Sequence, residues 1–282
     1  MTSKYDNYLT KELLSDLMAK HKSANKIAQA EGIHLNYIIK YLDRFDIPRI
    51  KLTKYKKNED FFAKDTEESF YLAGFIAADG CINQNLTMLT IDLSLKDADY
   101  LQTLIKLLMP NRPYRVGKSS NKLYDIARFT IYSKTIVSDL KRFNITPRKS
   151  LTYQFPIHLA NHPLLKHFLR GYMDGDGCWK LHKKENMVTR VSLSVLGTYH
   201  LISNFKLALE INCNFVSKAA IRQPKNQKIH ELEYGENQIC ATIYNYLYDG
   251  ATIFLPRKKE IAEQANILKS SNPNIARYKY TT

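Results

Sequence analysis

The sequence predicts an α+β fold in which one αββαββα unit occurs twice, after a small all-α domain at the N-terminus. The first observation is a mostly apolar stretch ending in Asp-Gly, which occurs at residues 70–80 and again at residues 168–177. The second is that segments with strand and helix periodicity follow each stretch in the same order. The repetition therefore predicts a duplicated unit.

The predicted boundaries follow from composition and from the repeat. We assign four segments: an all-α domain at 1–50, a basic linker at 51–64, a first half at 65–157 and a second half at 158–282. The lysines of the linker either face solvent or follow phosphates. Asp65 and Glu68 have the spacing of a capping box at the start of the first apolar helix.

The charge of the chain indicates a polyanionic partner, because the net charge is +15 at pH 7. The four cysteines have no C-x-x-C spacing, which argues against a zinc site and a disulfide framework and favours a reducing compartment. No apolar run has the length of a membrane span, and the first residues are polar. We therefore expect an intracellular protein that is not secreted and has no membrane partner.

The N-terminal domain has helical periodicity at residues 11–22, followed by a short helix, a turn at Gly32 and a second helix near 35–45. This order resembles a helix-turn-helix DNA-binding module. Its second helix would expose Asn36, Tyr37 and Lys40 to DNA. The alternative is a plain three-helix domain that packs on the rest of the protein.

Each Asp-Gly stretch is predicted to be a helix with small residues four positions apart, Gly74 with Ala78 and Gly171 with Gly175. Such faces let two helix backbones approach closely, so we expect the two helices to pack on each other. We expect Gly80 and Gly177 to end these helices in a left-handed conformation.

The two carboxylates that precede these glycines, Asp79 and Asp176, would then meet at the helix tips. They would repel each other and the negative helix ends, unless a hard cation such as Mg²⁺ or Ca²⁺ lies between them. The alternative is that both are ordinary capping residues in a buried helix pair.

Parallel elements follow in the two halves. The predicted pairs are strands 87–95 and 191–195, helices 100–109 and 199–211, strand pairs 114–120 with 127–132 and 215–222 with 229–234, and helices 133–143 and 237–248. Each half then ends in Pro-Arg-Lys, at 147–149 and 256–258. A lysine here could polarise an attacking water or stabilise a phosphate, although a basic surface turn would look the same.

Alternation predicts that each sheet has an apolar face toward its helices and a polar, basic face. That second face would suit the major groove of DNA. Its predicted members are Asn83, Asn85, Arg115, Lys118 and Arg128 in the first half, and Lys180, His182, Lys184, Arg190, Lys218, Arg222 and Lys228 in the second. The strand at 229–234 fits this picture poorly because of Glu231 and Glu233, and its orientation stays open.

The repeated stretch resembles the motif of the LAGLIDADG homing endonucleases, in their single-chain form with two motif copies. Residues 72–80 match the nine positions of the motif except at Phe75 and Ala77. Residues 169–177 depart at Arg170, Tyr172, Met173 and Gly175. Both copies keep the final Asp-Gly, so the departures leave the two carboxylates in place.

The resemblance implies two sheets that form a saddle over double-stranded DNA, and a monomeric, site-specific endonuclease of intron homing. It would cut a long asymmetric target and leave short 3′ overhangs. The resemblance places Asp79 and Asp176, with Gly80 and Gly177, at a Mg²⁺ site that Ca²⁺ or Mn²⁺ can also occupy, and Lys149 and Lys258 among the catalytic residues. The alternative is a non-cleaving nucleic-acid binder on the same fold, an intron maturase or a transcription regulator.

Overall fold

The computed structural model describes residues 5–48, 55–119, 121–183 and 189–271. The chain divides into two compact units, Met1–Lys56 and Lys57–Thr282. Residues 57–64, which we predicted to belong to a linker, fall in the second unit. There Phe62 is buried, and the Asn58 N–H donates to the Leu108 carbonyl at 2.9 Å.

The first unit contains three helices, α1 (Lys11–His21), α2 (Ala24–Glu31) and α3 (Leu35–Arg44). Apolar residues at helical spacing bury one face of each helix, and they form a core of Leu14, Leu17, Ile27, Ile38 and Leu42. Gly32 ends α2 with φ +63°, a left-handed conformation that suits glycine. The helix, turn and helix predicted from the sequence are therefore present.

The second unit contains two successive copies of one element order. The first half comprises α4 (Glu67–Asp79), β1 (Gly80–Ile82), β2 (Met88–Ser94), α5 (Ala98–Leu108), β3 (Arg115–Lys118), β4 (Asp125–Tyr132) and α6 (Lys134–Asp139). The second half comprises α7 (Leu165–Asp176), β5 (Gly177–His182), β6 (Arg190–Gly197), α8 (Tyr199–Asn212), β7 (Ile221–Arg222), β8 (His230–Tyr234) and α9 (Asn237–Tyr248), and α10 (Pro256–Ser271) follows it.

Each half forms an antiparallel four-stranded sheet with the same topology, β1-β2-β4-β3 in the first and β5-β6-β8-β7 in the second. Ile91 and Phe129 are register partners on the buried face of the first sheet, as Val195 and Leu232 are in the second. The predicted α+β fold of two αββαββα halves is therefore confirmed. Within the described residues, no helix has both the length and the apolar character needed to cross a membrane.

Two local predictions differ from the structure. The strand predicted at 215–222 is reduced to the two residues of β7, Ile221–Arg222. The cap of α4 is Thr66, whose side chain accepts from the Ser69 N–H while the Ser69 hydroxyl accepts from the Thr66 N–H. Asp65, predicted to cap this helix, instead accepts a hydrogen bond from Arg142.

Candidate functional site

The site is built on the direct packing of α4 against α7. A Cβ atom added to Gly74 would lie 2.0 Å from the Phe168 carbonyl oxygen, and one added to Gly171 would lie 1.9 Å from the Tyr71 carbonyl oxygen. Nearer the tips, a Cβ on Gly175 would lie 2.3 Å from the Cβ of Ala78. The predicted close approach of the two helices is therefore confirmed, and the small residues are what permit it.

The close approach brings Asp79 and Asp176 together, at the last residues of α4 and α7. The position of a Gly175 Cβ, on the opposite helix, is 3.5 Å from Asp79 Oδ2. Gly80 and Gly177 do not take the left-handed conformation we predicted. With φ −81° and −84° they are extended, because each also begins the strand that continues from its helix.

Both carboxylates are held in an environment that disfavours their charge. Each residue reaches solvent, yet protein surrounds the carboxylate on most sides. Burial, followed by the charge of Asp176, raises the pKa of Asp79 to about 6, against the opposing effect of nearby lysines. Burial also raises the pKa of Asp176, while the Tyr172 hydroxyl and the lysines oppose this shift. A bound cation would relieve both penalties.

Lys149 and Lys258, one from each Pro-Arg-Lys turn, lie buried near these carboxylates and act electrostatically on Asp79. Burial lowers the pKa of the Lys149 ammonium, which the charges of Asp176 and Asp79 oppose. Lys149 Nζ donates to the Ala78 carbonyl of α4 at 3.2 Å. The structure therefore brings both predicted lysines to the helix tips.

Lys258 is bound more tightly than Lys149. Its Nζ donates to the last carbonyls of α7 and the first of β5: Met173 at 3.1 Å, Asp174 at 2.6 Å, Gly175 at 2.8 Å and Gly177 at 2.6 Å. An ammonium has three donors, so these four acceptors use its full capacity. Lys258 thus satisfies the end of α7 and donates to the carbonyl of Gly177, a residue that we predicted to belong to the metal site.

A buried polar network behind Asp176 was not predicted from the sequence. Asp174 accepts hydrogen bonds from the Tyr71 and Tyr248 hydroxyls and from the Leu255 N–H, each at 2.7 Å. Burial raises the pKa of this carboxyl. Asp174 therefore joins α4, α9 and the residue before α10 around the C-terminal end of α7.

The fully buried guanidinium of Arg170 forms the second part of that network. It donates to the Leu247 and Ile253 carbonyls at 2.8 and 2.9 Å, to Glu67 at 2.6 Å and to His167 Nδ1 at 2.9 Å. An arginine between the apolar residues Leu169 and Gly171 of the repeated motif was the available signal, because a buried charge requires partners. The partners come from distant parts of the chain, so the sequence did not identify them.

A pocket of about 270 Å³ opens beside Asp79. Asp97 and Arg257 line it and form a bidentate ion pair at 2.8 and 2.9 Å. Since Asp97 belongs to the first half and Arg257 to α10, this pair joins the two halves at the site. Arg257, the middle residue of the second Pro-Arg-Lys segment, is engaged in that pair.

The donor set fits a hard divalent cation. The tips supply two carboxylates, and no cluster of three or more His, Cys, Asp or Glu side chains lies within the described ranges. Hard cations such as Mg²⁺ bind in just this way, through one or two carboxylates with water and substrate phosphates.

The polar face of the first sheet carries Arg115 and Arg128, which are register partners. Arg128 also makes a bidentate ion pair with Asp92, both contacts at 2.7 Å. The prediction that Lys118 shares this face is wrong, because it stands three residues from Arg115 on a strand of period two. Lys118 instead pairs with Asp125 at 2.9 Å at the end of the hairpin.

Asn83 and Asn85 lie in the turn between β1 and β2. The Asn83 side-chain oxygen accepts from the Thr87 and Met88 N–H groups at 2.9 Å, and its Nδ2 donates to the Thr87 hydroxyl. Asn83 therefore holds the turn closed, while Asn85 is exposed at its tip.

In the second half the predicted basic residues are mostly exposed. Lys180 and Arg190 lie on the polar face of β5 and β6, where Arg190 is the register partner of His182, whose Nε2 is 2.8 Å from the Ser192 hydroxyl. Three further residues predicted to bind DNA are exposed, two of them in loops: Lys218, Arg222 and Lys228. Lys184 lies outside the described residues. In the first unit, Asn36, Tyr37 and Lys40 are exposed on α3.

Comparisons with known proteins agree with the architecture. No model of a protein family and no characterised protein sequence matches the chain. Among solved structures, it is similar to the homing endonuclease I-WcaI bound to its DNA recognition sequence, with a TM-score of 0.52, 16% identity, and coverage of 72% of this chain and 91% of that one. A LAGLIDADG meganuclease, I-AabMI bound to uncleaved DNA, also matches, with a TM-score of 0.48, 12% identity and coverage of 72% and 92%. The likeness to I-WcaI shows a shared fold.

Proposed function

We propose that the protein is a site-specific double-strand DNA endonuclease that uses divalent metal. The observation that carries the proposal is the meeting of Asp79 and Asp176 at the tips of the packed helices. Two carboxylates whose pKa values are raised by burial, with lysines beside them, suit the binding of Mg²⁺ and the cleavage of a phosphodiester. Similarity to the fold of a DNA-bound homing endonuclease supports the same function.

Asp79 and Asp176 would hold the metal, with Ca²⁺ or Mn²⁺ as substitutes for Mg²⁺. When bound, the metal supplies activation of water and shielding of the leaving oxygen. Lys149 would add positive charge beside the phosphate. Lys258 would keep the α7 tip and the Gly177 carbonyl in place, which fixes the position of Asp176.

The two sheets would bind the DNA through their polar faces, one half on each side of the cleavage position. The net charge of +15 supports contacts with the phosphate backbone. Because the halves differ in sequence, a monomer could recognise a long asymmetric target, cut each strand once and leave short 3′ overhangs. Such an enzyme acts on intracellular DNA.

The test is selection of bound sequences from a randomised DNA library, followed by incubation of the selected duplex with the protein and Mg²⁺. We expect a double-strand break that requires Mg²⁺ and disappears with a chelator. In Ca²⁺ we expect binding at the same site. Specific binding without any cleavage in Mg²⁺ or Mn²⁺ would overturn the proposal and identify a non-cleaving binder, a maturase or a transcription regulator.

The first unit would serve as a helix-turn-helix anchor on DNA beside the cleavage site. The exposure of Asn36, Tyr37 and Lys40 on α3 supports this role. In the full-length chain, Lys40→Ala combined with Asn36→Ala should weaken binding to the selected target about 10-fold. The cleavage rate at saturating protein should stay within about twofold, since these residues take no part in the chemistry. Unchanged affinity would remove the anchoring role.

A further inference from the structure

The structure settles the orientation of β8, the strand whose acidic residues fitted the sequence prediction poorly. Leu232 and Tyr234 are buried, with relative exposures of 0% and 2%. Glu231 and Glu233 therefore point to the opposite side, which is the polar face of the sheet. There Glu233 is the register partner of Ser194, which is in turn the partner of Cys178.

These two carboxylates lie among basic side chains. Arg222 on β7 stands directly opposite Glu231. Lys180 is two residues from Cys178 on β5, and so on the same face as Glu233. The acidic residues are thus within the surface proposed to meet DNA.

In the first sheet, by contrast, the acidic residues of the strands form ion pairs. Asp92 is neutralised by Arg128 and Asp125 by Lys118, in ion pairs of 2.7 and 2.9 Å. Neither Glu231 nor Glu233 has an ion pair or a side-chain hydrogen bond to any described residue, although Arg222 is adjacent to Glu231. The second sheet therefore presents two open carboxylates.

An ionised carboxylate only accepts hydrogen bonds, so it gains nothing from phosphate or from the N7 and O6 acceptors of guanine. In the major groove, cytosine N4 and adenine N6 are the amino donors, and adenine N6 lies beside the N7 acceptor, which repels a carboxylate. Cytosine N4 is therefore the donor that a glutamate reads best. On the basis of the proposed function, we infer that Glu231 and Glu233 are specificity-determining residues that select cytosines in the half of the target bound by the second sheet.

The strand geometry sets the spacing of these cytosines. Residues two apart on one face of a strand are separated by about 7 Å, or about two base pairs where the strand follows the groove. Arg222, beside Glu231, has the fork that binds guanine O6 and N7. The expected subsite is therefore two cytosine positions about two base pairs apart, with a guanine next to the one read by Glu231.

The experiment compares the base preferences of the full-length protein and its Glu233→Gln and Glu231→Gln variants, each selected from a randomised library in Ca²⁺ so that bound DNA stays intact. Glu263→Gln is the matched control, because it removes one exposed negative charge from a helix, α10, and changes no residue of either sheet. All three variants lose the same charge, so a general gain in DNA affinity is common to them.

We expect the parent to prefer cytosine at two positions. Glu233→Gln should reduce the preference at one of them about 10-fold and shift it toward adenine, since glutamine pairs with adenine N6 and N7. Glu231→Gln should act on the other position, and Glu263→Gln on neither. If the parent selects a target and both sheet variants keep the parent's base preferences, this inference is overturned and the proposed function is not. A parent that enriches no sequence overturns the proposed function, and this inference with it.

Discussion

In the first half, the motif helix α4 carries Ala73 and Ala77 at positions where the second-half helix α7 carries Arg170 and Asp174. The two halves share their strand order, and both glycines at the crossing are needed for contact. Their polar groups differ. On α7, Arg170 and Asp174 hold a buried network that includes Glu67, His167 and two tyrosines, and α4 only supplies partners to it. The duplication thus preserves the contact between helices, while each half satisfies its polar groups in its own way.

The largest effect is expected where the halves are alike. Gly171→Ala and Gly74→Ala each place a methyl group within about 2 Å of a backbone carbonyl oxygen of the facing helix. Since backbone cannot move aside cheaply, each should lower the free energy of unfolding by about 3 kcal/mol or more, measured by urea denaturation.

The control for the glycine variants is Gly117→Ala in β3, where the nearest atom to an added Cβ is 3.9 Å away. It should cost less than about 1 kcal/mol. Equal, small losses in all three variants would contradict the close packing of α4 and α7.

The next effect concerns the network present only in the second half. Arg170→Met removes the positive partner of Glu67, which keeps only its backbone donors, and leaves two buried carbonyls without the guanidinium, so the unfolding free energy should fall by about 3 kcal/mol. The exposed pair of Lys64 with Asp60 gives the comparison, and Lys64→Met should leave the unfolding free energy almost unchanged. A similar small loss for Arg170→Met would show that the network contributes no stability.

The two lysines at the helix tips should contribute unequally to stability, although both should contribute to cleavage. Lys258→Met removes hydrogen bonds to four carbonyls and should cost about 2 kcal/mol, whereas Lys149→Met removes one and should cost about half as much. Both should slow cleavage of the selected target. The prediction fails if Lys149→Met is the more destabilising of the two.

The smallest effect is a pH dependence from a histidine, His167, that the second half carries and the first half lacks at the matching position. Burial, together with the charge of Arg170, lowers the pKa of His167 to about 4, and Lys166 acts in the same direction. Glu67 and Glu68 oppose this shift. In the first half the matching position is Phe70, which cannot titrate.

Between pH 4 and 6.5 the unfolded chain binds a proton at His167 that the folded chain does not. Stability should therefore rise with pH across this window, by on the order of 1 kcal/mol from this group. Denaturation curves at several pH values would measure it, and His167→Gln should flatten that part of the profile. An unchanged profile in this variant would assign the dependence to other groups.

Periodicity and repetition were sufficient to predict the duplicated fold, because each motif copy contains its own packing face and each strand its own alternation. Gly74, Gly171 and the closing aspartates could be placed because each motif copy shows its small residues four positions apart and its final Asp-Gly directly in the sequence. The same holds for Arg115 and Arg128, which share one face of the first sheet.

The residues that the sequence did not place depend on distant partners. Arg170 binds carbonyls at Leu247 and Ile253, and Asp97 binds Arg257 across the two halves. Lys118 was assigned to the wrong face because its charge was weighed above the period of its strand. Gly80 and Gly177 were expected to be left-handed because a helix end was considered without the strand that continues directly from it.

The most direct measurement of the central claim is cleavage of each strand of an end-labelled target in Mg²⁺ by the parent, Asp79→Asn and Asp176→Asn. If the two tips form one metal-dependent centre, each substitution should slow cleavage of at least one strand about 100-fold or more while binding in Ca²⁺ persists. The double variant should cut neither strand. Cleavage of both strands by the double variant at the parental rate would contradict the account.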